Sequence, residues 1–396
     1  MSSTKKFEAA ANAIRPNMRE PETVMKRIRL ALTLVLLCVA CGCTTLAGKE
    51  EIGAVIARRA QVRSSTAIVA ADLKEVVRGD ELDILDSITV PDTGERWLHV
   101  RTRDAEPIEG WIEARNVISH EMIERSRRIA QEDKDVPAQA SGQLRASTNI
   151  RFTPDRTGNE NILMKLESGA RFDIISWKRV PKPKSAESTE SDDAPKAGAI
   201  EQGAGRRGRR AKDEQKEPEE PNELWFKVRL PSSLSPAPAG WVFGKQVELT
   251  VPSDIIFYRT GREFVAWQRL DGDDPTGSQA APKDKDAAKD TRPGSWVILE
   301  KSTVGDDINA VDSPDFDRIY VLGYDKDRQE HYTAYRSPDL RGFLPMRVEG
   351  RGDTKTFTIH AQSDGQSKEI KFKTYINERG LLKVEALSEI PKSKAK

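Results

Sequence analysis

Apolar and polar residues alternate at every second position over much of this chain, which is the strand period rather than the helix period. In Leu82-Asp83-Ile84 and Phe172-Asp173-Ile174 an aspartate lies between two inward side chains. Trp97 and Val100 bracket a short strand with a wet face at His99. Late in the chain, similar segments bounded by turn residues predict strands at 254–258, 264–270, 295–301, 318–324, 331–336, 343–349, 356–361, 369–375 and 381–386. Turn signals stand at Asp325-Lys326-Asp327, Ser363-Asp364-Gly365 and Asn377-Glu378-Arg379-Gly380. A helical pattern follows Ser119, an N-cap residue, with acids Glu121 and Glu124 early, bases Arg127 and Arg128 late, and a thin stripe of Met122, Ile123 and Ile129. It predicts a connecting helix within a linker at 119–135. The fold class expected is all-β.

Two segments repeat one another. The first runs Val62-Arg63, Gly79-Asp80-Glu81-Leu82-Asp83-Ile84-Leu85, Trp97-Leu98-His99-Val100-Arg101 and Gly110-Trp111-Ile112. The second runs Ile150-Arg151, Gly169-Ala170-Arg171-Phe172-Asp173-Ile174-Ile175, Trp225-Phe226-Lys227-Val228-Arg229 and Gly240-Trp241-Val242. Trp111 and Val117 are six positions apart, as are Trp241 and Val247. Self-similarity of this length sets the domain count. Short strands between turn signals imply a small closed or half-closed barrel in each copy. Glycine ahead of Trp111 and of Trp241 suits a close approach or a positive φ at a strand start. Gly79 and Trp97 are 18 positions apart but Gly169 and Trp225 are 56, so the second copy carries an insert, about 178–222. That insert is rich in Lys, Arg, Glu, Asp, Pro, Ala, Gly and Ser, too poor in apolar surface to offset the entropy of ordering, and disorder is expected there. Disorder is likewise expected at 271–293.

The ordered set of these motifs, occurring twice, resembles the bacterial SH3 (Src-homology-3-like) domain. The likeness covers barrel 1 at 54–118 and barrel 2 at 144–250. The family carries Asn-Val-Arg with a Gly-Pro turn at its start; this chain has Gln61-Val62-Arg63-Ser64-Ser65 and Asn149-Ile150-Arg151-Phe152-Thr153-Pro154. The turn that helps to build the family's ligand groove is therefore altered. Trp97, Trp111, Trp225 and Trp241 serve barrel packing and are the candidates for lining a ligand groove, where indole rings stack on sugars or peptides. At 251–391 a third, β-rich module is expected, a meander or barrel. Its Gly294-Ser295-Trp296 and Leu322-Gly323-Tyr324-Asp325 faintly resemble lipocalin-like (calycin) barrels.

The N-terminus changes the picture from fold to address. Met25-Lys26-Arg27-Ile28-Arg29 is a basic start, and an apolar run of about ten residues follows, as in a signal peptide. Met1–Val24 reads as sequence ahead of a true start at Met25, or as an overlong leading region. Cys38-Val39-Ala40-Cys41-Gly42-Cys43 resembles the bacterial lipobox, with Cys43 the best acceptor and Cys41 its rival. The resemblance implies removal of the 1–43 signal segment up to the acceptor cysteine and fatty acylation of that cysteine. The result is a lipoprotein held on the membrane and facing the periplasm, outer membrane favoured. No cysteine follows Cys43, so neither a disulfide framework nor a thiol catalyst is available in the modules. The net charge of +1 gives no global pull toward nucleic acid, and the basic Gly205–Arg210 cluster reads as a solvated loop.

Asp and Glu are too abundant for paired carboxylates to carry a signal, and the other catalytic constellations are missing from the sequence. His99, His120, His331 and His360 are scattered, without His-Glu-x-x-His, and there is no Gly-x-Ser-x-Gly elbow or phosphate-cradling loop. His331, beside Tyr332 and Tyr335, is the most site-like histidine and reads as a sheet-surface side chain. No cofactor, no metal and no enzymatic activity are expected. The expected function is binding of peptidoglycan or of envelope protein partners. The alternatives are a carrier of small apolar ligands in the third module and an envelope assembly or scaffold factor.

Overall fold

The computed structural model describes residues 51–183, 221–259, 261–271, 293–303, 310–363 and 365–390. The expected signal segment, with Met25, Cys41 and Cys43, lies outside the described residues, as do 184–220 and 272–292. The protein is all-β, with several antiparallel sheets and a single α-helix among the described residues.

The first module comprises β1 (Glu51–Val55), β2 (Arg59–Arg63), β3 (Asp72–Val77), β4 (Glu81–Thr89), β5 (Arg96–Thr102), β6 (Glu109–Glu113) and β7 (Val117–Ser119). They form one sheet in the order β3-β2-β6-β5-β4-β1-β7. Val55, Val62, Val76, Leu82, Val100 and Ile112, from six of the seven strands, meet in one cluster, which requires the sheet to curl around its own core. The second module has β8 (Ala140–Leu144), β9 (Thr148–Arg151), β10 (Ile162–Leu166), β11 (Arg171–Pro181), β12 (Asn222–Arg229), β13 (Ala239–Phe243) and β14 (Val247–Leu249). Its order, β10-β9-β13-β12-β11-β8-β14, is that of the first module strand for strand. The repeat in the sequence is thus a repeat of topology. At Gly79 (φ 93°) and Gly169 (φ 81°) the same left-handed turn precedes β4 and β11.

Three boundaries differ from expectation. The insert does not begin at Lys178: β11 continues to Pro181 and pairs back to Asn222, so 178–181 is ladder rather than disordered chain. Both modules also start earlier, at Glu51 and Ala140.

Gly110 and Gly240 owe their place to close approach and not to a positive φ. A Cβ on Gly110 would lie 2.6 Å from the Arg63 carbonyl oxygen, and one on Gly240 2.5 Å from Ile150 Cγ2. Gly110→Ala is expected to cost about 1–3 kcal/mol, because backbone must shift to admit the methyl group. Gly240→Ala, which meets a side-chain methyl, is expected to cost less. Urea midpoints of the two variants check the order.

Helix α1 (His120–Glu132) joins the modules, and the Ser119 hydroxyl accepts from Met122 N at 3.4 Å as its N-cap. Ile123 enters the core of the second module, and buried Ser126 donates to Ala239 O at 2.6 Å while accepting from Ala239 N at 3.0 Å.

The third region holds two four-stranded meanders: β15 (Arg262–Arg269), β16 (Trp296–Ser302), β17 (Arg318–Asp325) and β18 (Glu330–Arg336), then β19 (Gly342–Arg351), β20 (Thr354–Ser363), β21 (Gln366–Ile376) and β22 (Leu382–Ala386). The strand expected at 254–258 is instead a 3-10 turn, Ile256–Tyr258, because Pro252 O accepts from both Ile255 N and Ile256 N. Strands β15–β17 of the first meander are buried on both sides. Val297, Leu299, Ile319 and Val321 face the second meander. Trp267, Trp296, Ile298 and Leu322 share a core with the second module. The third region is therefore packed onto the second module, not strung after it.

Charged groups line part of this junction. Asp315 accepts from Trp177 Nε1 at 2.5 Å and Leu344 N at 3.0 Å, with Arg179 3.6 Å away. Lys301 donates to Pro314 O at 2.9 Å. Burial, reinforced by the Arg179 charge and opposed by Asp315, Asp317 and Glu263, pulls its pKa from 10.5 to about 8. Between those two values the unfolded chain binds a proton that the folded chain does not, so this group makes stability rise with pH from about 8 to 10.5. Relative to Lys301→Met, the wild type is expected to gain about 1–2 kcal/mol between pH 8 and 10, after allowance for solvent screening. Denaturant melts of both proteins at the two pH values check it.

Candidate ligand face of the first module

Strand alternation puts Leu98, Val100 and Ile112 into the core of the first module and Trp97, His99, Trp111 and Glu113 on the opposite face. Cross-strand register brings them together: Trp97 faces Glu113, His99 faces Trp111, and Arg63 of β2 faces Trp111 from the other side. The His99 and Trp111 rings pack together at 4.9 Å, tilted by 31°. Arg63 lies with its guanidinium carbon 5.9 Å from the Trp97 ring centroid. Trp97 is 4% exposed and forms the floor, whereas Trp111, His99 and Arg63 are half-buried and reach solvent. The Arg101–Glu109 ion pair at 2.7 Å borders the row. The surface joins an aromatic pair to a cation, an arrangement suited to stacking a sugar or peptide plane on the indole while a charge is read at its edge.

The second module uses the same positions for itself. Lys227, in the place of His99, is buried and bridges Glu132 at 2.6 Å and Asp133 at 2.5 Å at the end of α1. Arg229 donates to the carbonyls of Asp133 and Val136, at 3.1 and 3.2 Å. Burial raises the pKa of Asp173 beside it, against the pull of Arg229. Trp225 is 1% exposed, 5.5 Å from the Phe243 ring, with its Nε1–H unpartnered. Arg156 covers Phe243 at 4.8 Å and pairs with Glu223 at 2.5 Å. Trp241 is half-buried opposite Lys227. Of the four tryptophans expected to line a groove, Trp97 and Trp225 are thus buried supports, and Trp111 and Trp241 alone reach the surface. His99 and Arg63 belong to this candidate face and were missed by single-residue reasoning; the register set by Trp111 was the available signal.

His331 is not on a sheet surface. Its side chain is 6% exposed, and Nε2–H donates to Gly294 O at 2.8 Å, with Asp254 Oδ2 3.7 Å away. Tyr258 and Tyr324 flank the imidazole at 5.4 and 5.0 Å. Asp254 in turn accepts from Trp296 Nε1 at 2.8 Å and Gly294 N at 3.2 Å. The group clasps the start of β16 to the turn that follows the second module. Among the described residues there is no cluster of metal-ligating side chains, and no helix is long and apolar enough to cross a membrane.

No protein-family model matches the chain, and no curated protein matches it. Among solved structures, NlpC1 from Trichomonas vaginalis aligns with 72% of this chain and 87% of its own, at 9% identity and a TM-score of 0.14. NlpC2 from the same organism aligns with 87% of this chain and 94% of its own, at 8% identity and a TM-score of 0.14.

Proposed function

We propose that this chain is a non-catalytic, lipid-anchored protein of the bacterial cell envelope, and that its first SH3-like module binds peptidoglycan or an envelope protein through the Trp111–His99–Arg63 face. The observation that carries the reading is the asymmetry between two modules of one topology. The position that in the second module is consumed by the end of α1, Lys227, is His99 in the first module, where it stays half-exposed against Trp111. The second module then acts as a structural partner that holds the third region, and the lipid anchor raises the effective concentration of the binding face at the wall. The carrier alternative has less support, since the space between the two meanders is filled by Met346, Phe357, Ile359 and Phe372, with Phe357 and Phe372 stacked at 4.6 Å. Co-sedimentation of the mature protein with purified sacculi tests the proposal. Saturable retention supports wall binding. Without retention, crosslinking in intact cells must give an envelope protein adduct at the Trp111 face, and finding neither defeats the reading.

A further inference from the structure

We propose that the loop between β2 and β3 of the first module is a membrane-contact element, whose Ile68 and Val69 enter the headgroup boundary of the bilayer carrying the acyl chains. This rests on the lipid-anchor reading above. Ile68 and Val69 are each 93% exposed, and they sit in the apolar run Ala67-Ile68-Val69-Ala70-Ala71, followed by Leu73 at 42%. A contiguous exposed apolar tip marks a contact surface.

Part of this loop's backbone is satisfied from within the module. Arg63 Nη2 donates to Ile68 O at 2.8 Å and to Ala70 O at 3.1 Å. Ser64 N donates to Ala71 O at 2.9 Å and Ala70 N to Ala67 O at 3.0 Å. The Ser64 hydroxyl accepts from Ala71 N at 3.1 Å, and the Ser65 hydroxyl from Ala67 N at 3.3 Å. Unsatisfied peptide groups are what bar irregular backbone from lipid, and these bonds remove about half of those between Ser64 and Ala71. Hydroxyls and the Arg63–Asp72 pair at 3.4 Å form a polar collar at the base of the loop, below its apolar tip.

The choice of lipid over a protein partner follows from two features. The tip offers aliphatic side chains on a convex turn, without the Trp, Tyr or Arg anchor that concentrates energy in protein interfaces. The tether between Cys43 and β1 is also short. Residues 44–50 span at most about 25 Å when fully extended, about one small-domain diameter, so an acylated chain keeps the first module against its bilayer. Arg63 holds the loop and borders Trp111, so contact at the tip would orient the ligand face relative to the membrane.

The test uses the acylated mature chain, which has no other free cysteine once Cys43 is modified. Val69→Cys and, as a control in the β21–β22 turn, Glu378→Cys are each labelled with an environment-sensitive fluorophore. The proteins are reconstituted into phosphatidylethanolamine/phosphatidylglycerol vesicles carrying a nitroxide lipid. The expected result is a blue shift and at least threefold stronger quenching at position 69 than at 378, lost when Ile68→Asp is added. Equal, water-like signals at both positions in a chain shown by mass spectrometry to be acylated would overturn the loop contact alone. A concentration-dependent blue shift without vesicles would assign the tip to a second copy and overturn it as well. A mature chain without acyl groups removes the anchor, and the proposal with it.

Discussion

Replacing Gln139 by alanine is expected to destabilise the protein by about 2–4 kcal/mol and to loosen the second meander from the second module. Gln139 is fully buried, and its amide oxygen accepts from Met346 N at 2.7 Å while Nε2 donates to Met346 O at 2.9 Å and Pro137 O at 2.8 Å. Its own backbone bonds Ile174 O at 2.8 Å and accepts from Trp267 N at 2.9 Å, so one residue ties β11, β15 and β19 together. Without the amide, Met346 O keeps Gln268 Nε2 at 3.1 Å, but the buried Met346 N–H loses its acceptor. An orphaned buried donor costs about 1–3 kcal/mol and the vacated volume adds to it. Gln139→Met separates the terms: it refills most of the space, leaves the N–H orphaned, and should recover only part of the loss. Urea midpoints measure the total, and hydrogen exchange at 344–348 reports the loosening. If Gln139→Met were as stable as wild type, the hydrogen bonds would not be what joins these elements.

What was legible in the chain and what was not divides along physical lines. The repeat was legible because its topology depends on local features: a left-handed glycine, a strand of fixed period, and a glycine that must admit the neighbouring strand at Gly110 and Gly240. The strands of the third region were legible by alternation and turns, save the apolar run Ile255-Ile256-Phe257, which Pro252 folds into a turn that leaves Phe257 87% exposed. The ends were harder. Strand β8, Ala-Ser-Gly-Gln-Leu, has little β-propensity of its own and is held by pairing with β11 and β14. The docking of the third region was signalled but not read: Trp296-Val297-Ile298-Leu299 and Ile319-Tyr320-Val321-Leu322 are continuous apolar runs, the mark of a sheet covered on both faces. Which of the two repeated faces is left without a partner could not be read from any one tryptophan. It depends on Lys227 finding Glu132 and Asp133, almost a hundred residues earlier, while His99 has no such partner to cover it.

That difference sets the prediction with the largest expected functional effect. Trp111→Ala should weaken retention by its envelope ligand about thirtyfold or more, the effect of removing an aromatic that anchors an interface at 2 kcal/mol or above. Because Trp111 is half-buried and the floor beneath the face is Trp97, the melting temperature should fall by only a few degrees. Trp241→Ala, at the equivalent place, should show the reverse: unchanged retention with a larger loss of stability, since Trp241 lies between Arg151 and a Lys227 already paired with the end of α1. His99→Ala should fall between, removing the ring packed against Trp111 while leaving the indole in place. Co-sedimentation with sacculi and thermal melts on the same three proteins provide both readouts. Were Trp241→Ala to abolish retention while Trp111→Ala left it intact, the ligand face would belong to the second module, and the burial of Lys227 would have to be relieved on binding. Were neither to matter, the aromatic row would be a packing feature of both modules, and binding would have to be sought on another face.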